Sequence, residues 1–383
     1  MDRRVEGAGA DVRRGTAVAT LAFLGARLIG VTGLAVWAWS TGRAPLGLLA
    51  AGGDARWYRA LAEHGYDATP ALLPVPGRSP LVFFPLYPWL IRTVDTVLPT
   101  GPVLAALLVS WTAAAVAAAG LFRVGALLHG PRVGVVLAVL WGALPHAVVE
   151  SMAYTESLFT ACAAWGLYVA IAGRWLPAAG LAVAAGLARP TGIAVAVAVC
   201  TGAAAEALRR HRSDEQVPRT LLLALLTAPL GWGGYVLWAG ARSGAGPSGY
   251  FAVQRAWGSR YDFGAGTLRR LAGSLAAGDV APAVAAALAA AVLGALLVAG
   301  VRQRQPLPLL LYTATLVAIV LGGDGYVHSR PRFLLPAFGL LLPLALLVAR
   351  LRLRAAAALL SAAATGSALC GCYLLAHLST AAL

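Results

Sequence analysis

Apolar runs long enough to cross a bilayer recur along this chain, and no other feature narrows its possible folds as far. About 20 apolar residues span the hydrocarbon of a membrane. Runs of this kind lie near 16–39, 102–122, 133–147, 154–172, 175–188, 191–207, 220–239, 281–301, 307–322, 333–349 and 355–378, the third, fifth and sixth being short. In lipid every backbone N–H and C=O must be satisfied within the protein, which for such runs means helices. The expected fold is therefore an all-α polytopic membrane bundle of about eleven transmembrane helices, forming a single domain over 1–383. Composition agrees: 60% of residues are hydrophobic and 12% charged, against about 25% charged in soluble domains. That leaves too little polar surface to cover a water-soluble globule. The first run exceeds the signal-peptide core of about 7–15 residues and is expected to stay as an uncleaved anchor.

Charge gives the orientation. The formal net charge is +15, and all 30 basic residues are arginine. They are spread over many short loops, so they read as topology signals and lipid-phosphate contacts, with no nucleic-acid partner expected. With the N-terminus cytoplasmic, the basic loops RRHRSDEQVPR, RQRQP and RLRLR all fall on the cytoplasmic side, as the positive-inside rule requires. Two large loops, 40–101 and 240–280, then face outward, with a smaller one at 323–332. The outer side still carries Arg43, Arg56, Arg59, Arg78, Arg92, Arg189, Arg242, Arg255, Arg260, Arg269, Arg270, Arg330 and Arg332. Orientation does not need them there, and an anionic ligand at that surface would explain them.

The first outer loop reads GGDARWYRALAEHGYD. Asp54 precedes a short amphipathic helix over 55–64, closed by Gly65, with Trp57, Tyr58 and Leu61 on one face. Such a helix is expected to lie along the membrane surface with its aromatics toward lipid. On spacing alone Asp54 is equally a helix N-cap. The following SPLVFFPLYPWLIR, residues 79–92, is broken by Pro80, Pro85 and Pro88 and cannot be an ordinary spanning helix. His146 and Glu150 stand four apart, with Glu156 beyond, but lack a firm metal-ligand spacing, and no metal is assigned. The four cysteines sit in apolar runs and read as small buried hydrophobes. Arg27 is the one charge deep in a span and is expected to face the bundle, paired with a carbonyl or carboxylate. No mid-span carboxylate is expected beside it, which counts against a transporter or flippase.

The carboxylate followed by WY and AEHGY, then FFPLYP, resembles the PIG-V-type (GPI mannosyltransferase II-like) membrane mannosyltransferases of the GT-C class. Further similar blocks follow in order: AYTESLF at 153–159, GLARPTGI at 186–193, YFAVQRAWG at 250–258 and SRPRFLLPAF at 329–338. Together they cover about 300 residues. One departure is Gly53, where the family often has tryptophan. The resemblance implies a GT-C-like bundle and a polyprenyl-phosphate sugar donor, with mannose as the sugar. It also implies a lipid or glycan acceptor and metal-independent transfer without a cofactor. An acidic residue in the first outer loop would act as catalytic base, and only Asp54 matches that position.

Chemistry supports the same assignment. Transfer needs the acceptor hydroxyl deprotonated as it attacks the anomeric carbon, and the departing lipid phosphate needs cationic donors. Arg189, His328, Arg330 and Arg332 are the candidates for the phosphate. Trp57, Tyr58, Glu63, His64, Glu156, Gln254 and Arg255 are the candidates for substrate contact. The active site is expected at the extracytoplasmic face of the cell membrane.

Overall fold

The computed structural model describes residues 2–50, 52–72 and 78–377; residues 51 and 73–77 of the first large loop lie outside this set. The protein is an all-α polytopic membrane protein. In chain order its α-helices are α1 (Asp2–Ser40), α2 (Pro45–Ala50), α3 (Asp54–Leu72), α4 (Leu86–Val97), α5 (Pro102–His129), α6 (Pro131–Gly142), α7 (Glu156–Ile171), α8 (Trp175–Ala188) and α9 (Ile193–Arg212). There follow α10 (Arg219–Thr227), α11 (Leu230–Arg242), α12 (Gly249–Ala256), α13 (Ala265–Ala276), α14 (Ala281–Arg302), α15 (Leu307–Gly322), α16 (Arg330–Phe333), α17 (Leu342–Arg350) and α18 (Leu353–His377). Six helical stretches are long and apolar enough to cross a membrane, and the pair 327–333 and 338–350, bent by 70°, makes a seventh if it counts as one. Four shorter apolar helices are α6, α7, α8 and α15. The only strands among the described residues are two-residue pieces, β1 (Arg260–Tyr261) and β2 (Gly323–Asp324), paired antiparallel with Arg260 opposite Asp324.

One apolar cluster runs from Ala19 in α1 to Leu375 in α18, centred on α5, α6 and α7. Small residues let these backbones approach. A Cβ on Gly186 would lie 2.4 Å from the Trp232 backbone nitrogen, so α8 and α11 cross with no room for a side chain there. At the opposite extreme, only 6% of the most apolar window of α14 is buried inside the protein. Lipid is the solvent that makes such a surface stable.

The prolines shape the segment after α3 as expected. Pro80 opens a short 3-10 turn, Pro80–Val82, and Pro88 sits in the first turn of α4, where its missing N–H costs nothing. Gly65 adopts φ 75°, a left-handed conformation that ends the first part of α3. The aromatic face of that part does not meet lipid, which corrects the sequence expectation. Trp57, Tyr58 and Leu61 are buried inside the protein. Trp57 stacks on Phe83 at 5.6 Å, and Tyr58 meets Phe83 and Tyr87 edge-on at 5.0 and 5.1 Å. The proline-broken segment supplies these partners, so it forms the inner wall on which α3 rests. Tyr235 of α11 fixes the same wall by donating to the Phe83 carbonyl at 2.7 Å.

Arg27 faces the bundle as expected. It donates to the Gly142 carbonyl at 3.1 Å and to Ser151 Oγ at 3.0 Å. A carboxylate accompanies it too, within the expected pairing although none was expected inside the span: Glu150 Oε2 lies 3.8 Å from Arg27 Nε, and both side chains are buried. Residues 147–151 form a 3-10 turn between α6 and α7, so the four-residue spacing of His146 and Glu150 does not make a helical face. Among the described residues no group of three or more His, Cys, Asp or Glu side chains gathers as a metal would need.

Candidate functional site

The start of α3, the start of α7, the end of α8 and the short α16 converge at one end of the bundle. Each brings one charged side chain, and together they form a continuous chain of ion pairs. Arg332 donates to Asp54 Oδ2 at 2.7 Å. Its Nε lies 3.1 Å from Glu156 Oε1. The same Glu156 oxygen lies 3.1 Å from Arg189 Nη1. Two carboxylates thus alternate with two guanidiniums, and the group is neutral as a whole. Charges this far from water persist only when paired in this way.

The local sequence explains how each group arrives. Asp54 and Glu156 are the first residues of their helices, where a carboxylate is favoured by the helix dipole. Arg189 is extended backbone between α8 and Pro190, which forces the chain out of helix. Its guanidinium is flanked by the rings of Phe159 and Phe333, at 5.7 and 5.5 Å. Arg332 lies over the same Phe333 ring and over Tyr154, both at 4.8 Å. Arginine suits such aromatic slots because its planar cation is weakly hydrated.

The ion-pair chain lies in the wall of a cavity of about 730 Å³. Exposure separates the two carboxylates: the Asp54 side chain is 34% exposed, whereas that of Glu156 is 3% exposed. Only Asp54 can meet a substrate without rearrangement. Around the cavity stand seven arginines, Arg56, Arg78, Arg189, Arg255, Arg260, Arg330 and Arg332, against three carboxylates, Asp54, Glu156 and Asp324. The excess is 7 − 3 = 4 positive charges. Apolar and aromatic residues such as Ile193, Phe251, Trp257 and Val320 make up much of the remaining wall. Burial, and after it the Asp54 carboxylate, push the Tyr58 phenol above its ordinary range, so that group stays neutral.

The sequence-derived candidates divide into two sets. Asp54, Trp57, Tyr58, Glu156, Arg189, Gln254, Arg255, Arg330 and Arg332 all line the cavity. Glu63 and His64 lie outside it, exposed and facing each other at 3.5 Å. His328 is also exposed and does not contribute to the cavity wall. Arg330 donates to Thr267 Oγ1 at 2.6 Å and to the Gly323 carbonyl at 2.7 Å, while its Nε has no hydrogen-bond partner. Sequence reasoning did not select Arg56, Arg78 and Arg260, although each belongs to the surplus of arginines on that side. Thr191 and Trp232 were missed altogether; Thr191 Oγ1 and Trp232 Nε1 are buried beside the cavity without hydrogen-bond partners.

Asp324 organises the rim. Its carboxylate binds Arg260 at 3.1 Å and Arg270 at 2.7 Å, tying the 249–276 segment to the turn before α16. The Arg270 hydrogen bond, helped by the Gly325 N–H, holds this carboxyl below the usual carboxylate range.

Comparison of the chain with protein-family models and with curated proteins finds no match.

Proposed function

We propose that this protein is an inverting glycosyltransferase that moves a sugar from a polyprenyl-phosphate donor to a lipid or glycan acceptor. The observation that carries this reading is a half-open carboxylate, Asp54, in a 730 Å³ cavity with four surplus positive charges and a largely apolar wall. A lipid-linked sugar phosphate combines the same three properties: an anionic group, a polar sugar and an apolar tail. Mannose as the sugar rests on the resemblance to PIG-V-type enzymes.

In the reaction, the Asp54 carboxylate accepts the proton of an acceptor hydroxyl as that oxygen attacks the anomeric carbon. The bond between this carbon and the phosphate oxygen breaks on the opposite face. Its electron pair leaves with the phosphate, and the anomeric configuration inverts. Arginines in a water-poor cavity stabilise the charge that grows on the departing oxygen. The phosphate partners favoured by the geometry are Arg189, Arg255 and Arg330. Arg332 already serves both carboxylates.

The six long apolar helices, the bent pair and the four short apolar helices amount to 6 + 1 + 4 = 11 segments, which supports an eleven-crossing bundle. With the N-terminus cytoplasmic, alternating crossings put the cavity on the extracytoplasmic side. The test is to incubate membranes containing the protein with radiolabelled polyprenyl-phosphate sugars and to identify the labelled product. Transfer that is lost in Asp54→Asn and dependent on the lipid phosphate supports the reading; full transfer by that variant overturns it.

The buried Arg27–Glu150 pair favours a second reading, a polytopic lipid or solute transporter, because transporters place paired charges within the bundle. Flux across proteoliposomes that requires Glu150 and is indifferent to Asp54 would decide for it.

A further inference from the structure

The ion-pair chain divides labour among residues that the sequence treats alike. A single oxygen of Glu156 faces two guanidiniums, those of Arg332 and Arg189, at 3.1 Å each. Arg332 also donates through Nη2 to Asp54 at 2.7 Å. Glu156 borders the cavity with only 3% of its side chain exposed, and its Oε1 is taken up by the two guanidiniums. Arg189 lines the same cavity with 7% of its side chain exposed, and its Nε has no hydrogen-bond partner.

We propose that Glu156 is a positioning residue that assigns the two arginines opposite duties, holding Arg332 as the orienting partner of the base Asp54 and Arg189 as the cation presented to the donor phosphate. This inference rests on the glycosyltransferase reading. Its physical core is a balance of charge. Arg332 stands between two carboxylates, so its attraction is shared between Asp54 and Glu156, while the same Glu156 oxygen holds Arg189. The charged and titratable groups around Asp54 and its partner Arg332 are Glu156, Arg189, Tyr58, Tyr154, Tyr326 and His146. Among them only Glu156 opposes Arg332 with a full negative charge.

The experiment is the pH profile of kcat/KM for sugar transfer by the full-length protein in membranes, whose acid limb reports the free enzyme's base. Two variants should move that limb in opposite directions. Glu156→Gln leaves the Arg332 charge undivided on Asp54, so the limb should move to lower pH with about a tenfold loss of kcat. Arg332→Gln removes the cation that Asp54 faces, so the limb should move the other way, to higher pH. Glu156→Asp keeps the charge and should restore the wild-type limb at reduced rate. A residue that merely held the fold would lower the amount of active protein in each variant and leave the limb in place; that result overturns the proposal. If Glu156→Gln fails to assemble, the charge-balanced double variant Glu156→Gln with Arg189→Gln reads the same downward movement of the limb, and an unmoved limb there overturns the proposal. Wild-type membranes that transfer no sugar from any polyprenyl-phosphate donor would instead overturn the underlying reading. Normal wild-type transfer with unmoved limbs overturns this inference alone.

Discussion

Two buried clusters in this molecule are built from the same pair of residue types, and they differ in what lies next to them. Arg27 and Glu150 meet inside the bundle, among α1, the end of α6 and the 3-10 turn after it. The space beside Arg27 holds only about 10 Å³, which is scarcely one water molecule. Asp54, Arg332, Glu156 and Arg189 meet at the end of the bundle and border about 730 Å³. The first cluster ties helices together, while the second presents charge to a space that a ligand can occupy. Burial of a charged pair is thus no sign of chemistry by itself; chemistry requires an adjoining volume and a partly exposed reactive atom.

That contrast can be broken by mutation. The largest effect is expected from Asp54→Asn, which should lower sugar transfer by about 10²–10⁴-fold, the usual worth of a general base. Its thermal unfolding in detergent should stay near that of the wild type. Arg27→Leu should do the reverse. Leaving Glu150 buried without its cation costs about 3–5 kcal/mol, seen as a lowered unfolding temperature, while the folded fraction keeps its turnover. The double change Arg27→Leu with Glu150→Leu should recover most of the lost stability. Loss of turnover in well-folded Arg27→Leu protein would erase the distinction between the clusters.

Smaller changes sharpen it. Arg255→Gln or Arg330→Gln should raise the KM for the donor about tenfold, since a hydrogen bond to a charged group contributes about 1.5–3 kcal/mol, with kcat less affected. Gly65→Ala places a Cβ on a left-handed residue and should destabilise the first part of α3 by about 1 kcal/mol, read as faster proteolysis there. The smallest effect concerns pH. The Asp324 carboxyl is held below its ordinary value of 3.8. Its contribution to the rim is therefore complete above that value and fades as pH falls through the lowered one. Hydrogen exchange across 257–276 and 323–330 should rise only in that acid range.

Much of the architecture was legible before any coordinates. The apolar runs and the proline-broken 79–92 segment follow from backbone satisfaction in lipid, and each expected run has a helical counterpart. The aromatic face of α3 misled because amphipathicity says that one side is buried, not whether lipid or protein buries it. Phe83, Tyr87 and Trp257 come from distant segments to cover it. Glu150 misled for the same reason: 123 residues separate it from Arg27, and no spacing rule links them.

At the site, residue type was readable and duty was not. Asp54 stood out as a carboxylate at the start of a helix in the first large loop, and the many arginines of that loop and the later ones were noticed as a group. Which of them would be neutralised could not be read from order along the chain. Glu63 and His64 looked as eligible as Trp57, yet they stand exposed nearly two turns further along the same helix, outside the cavity wall.

The amino-acid order alone determined that this chain is built from helices apolar enough for lipid, and roughly where they lie, because those properties depend on local hydropathy and proline; the 70° break within the expected 333–349 span was not among them. The tertiary structure alone decided that residues 54, 156, 189 and 332 form one electrically neutral chain beside a large cavity. Coulomb attraction acts between side chains that helix packing brings within about 3 Å, and distance in sequence carries no information about that packing.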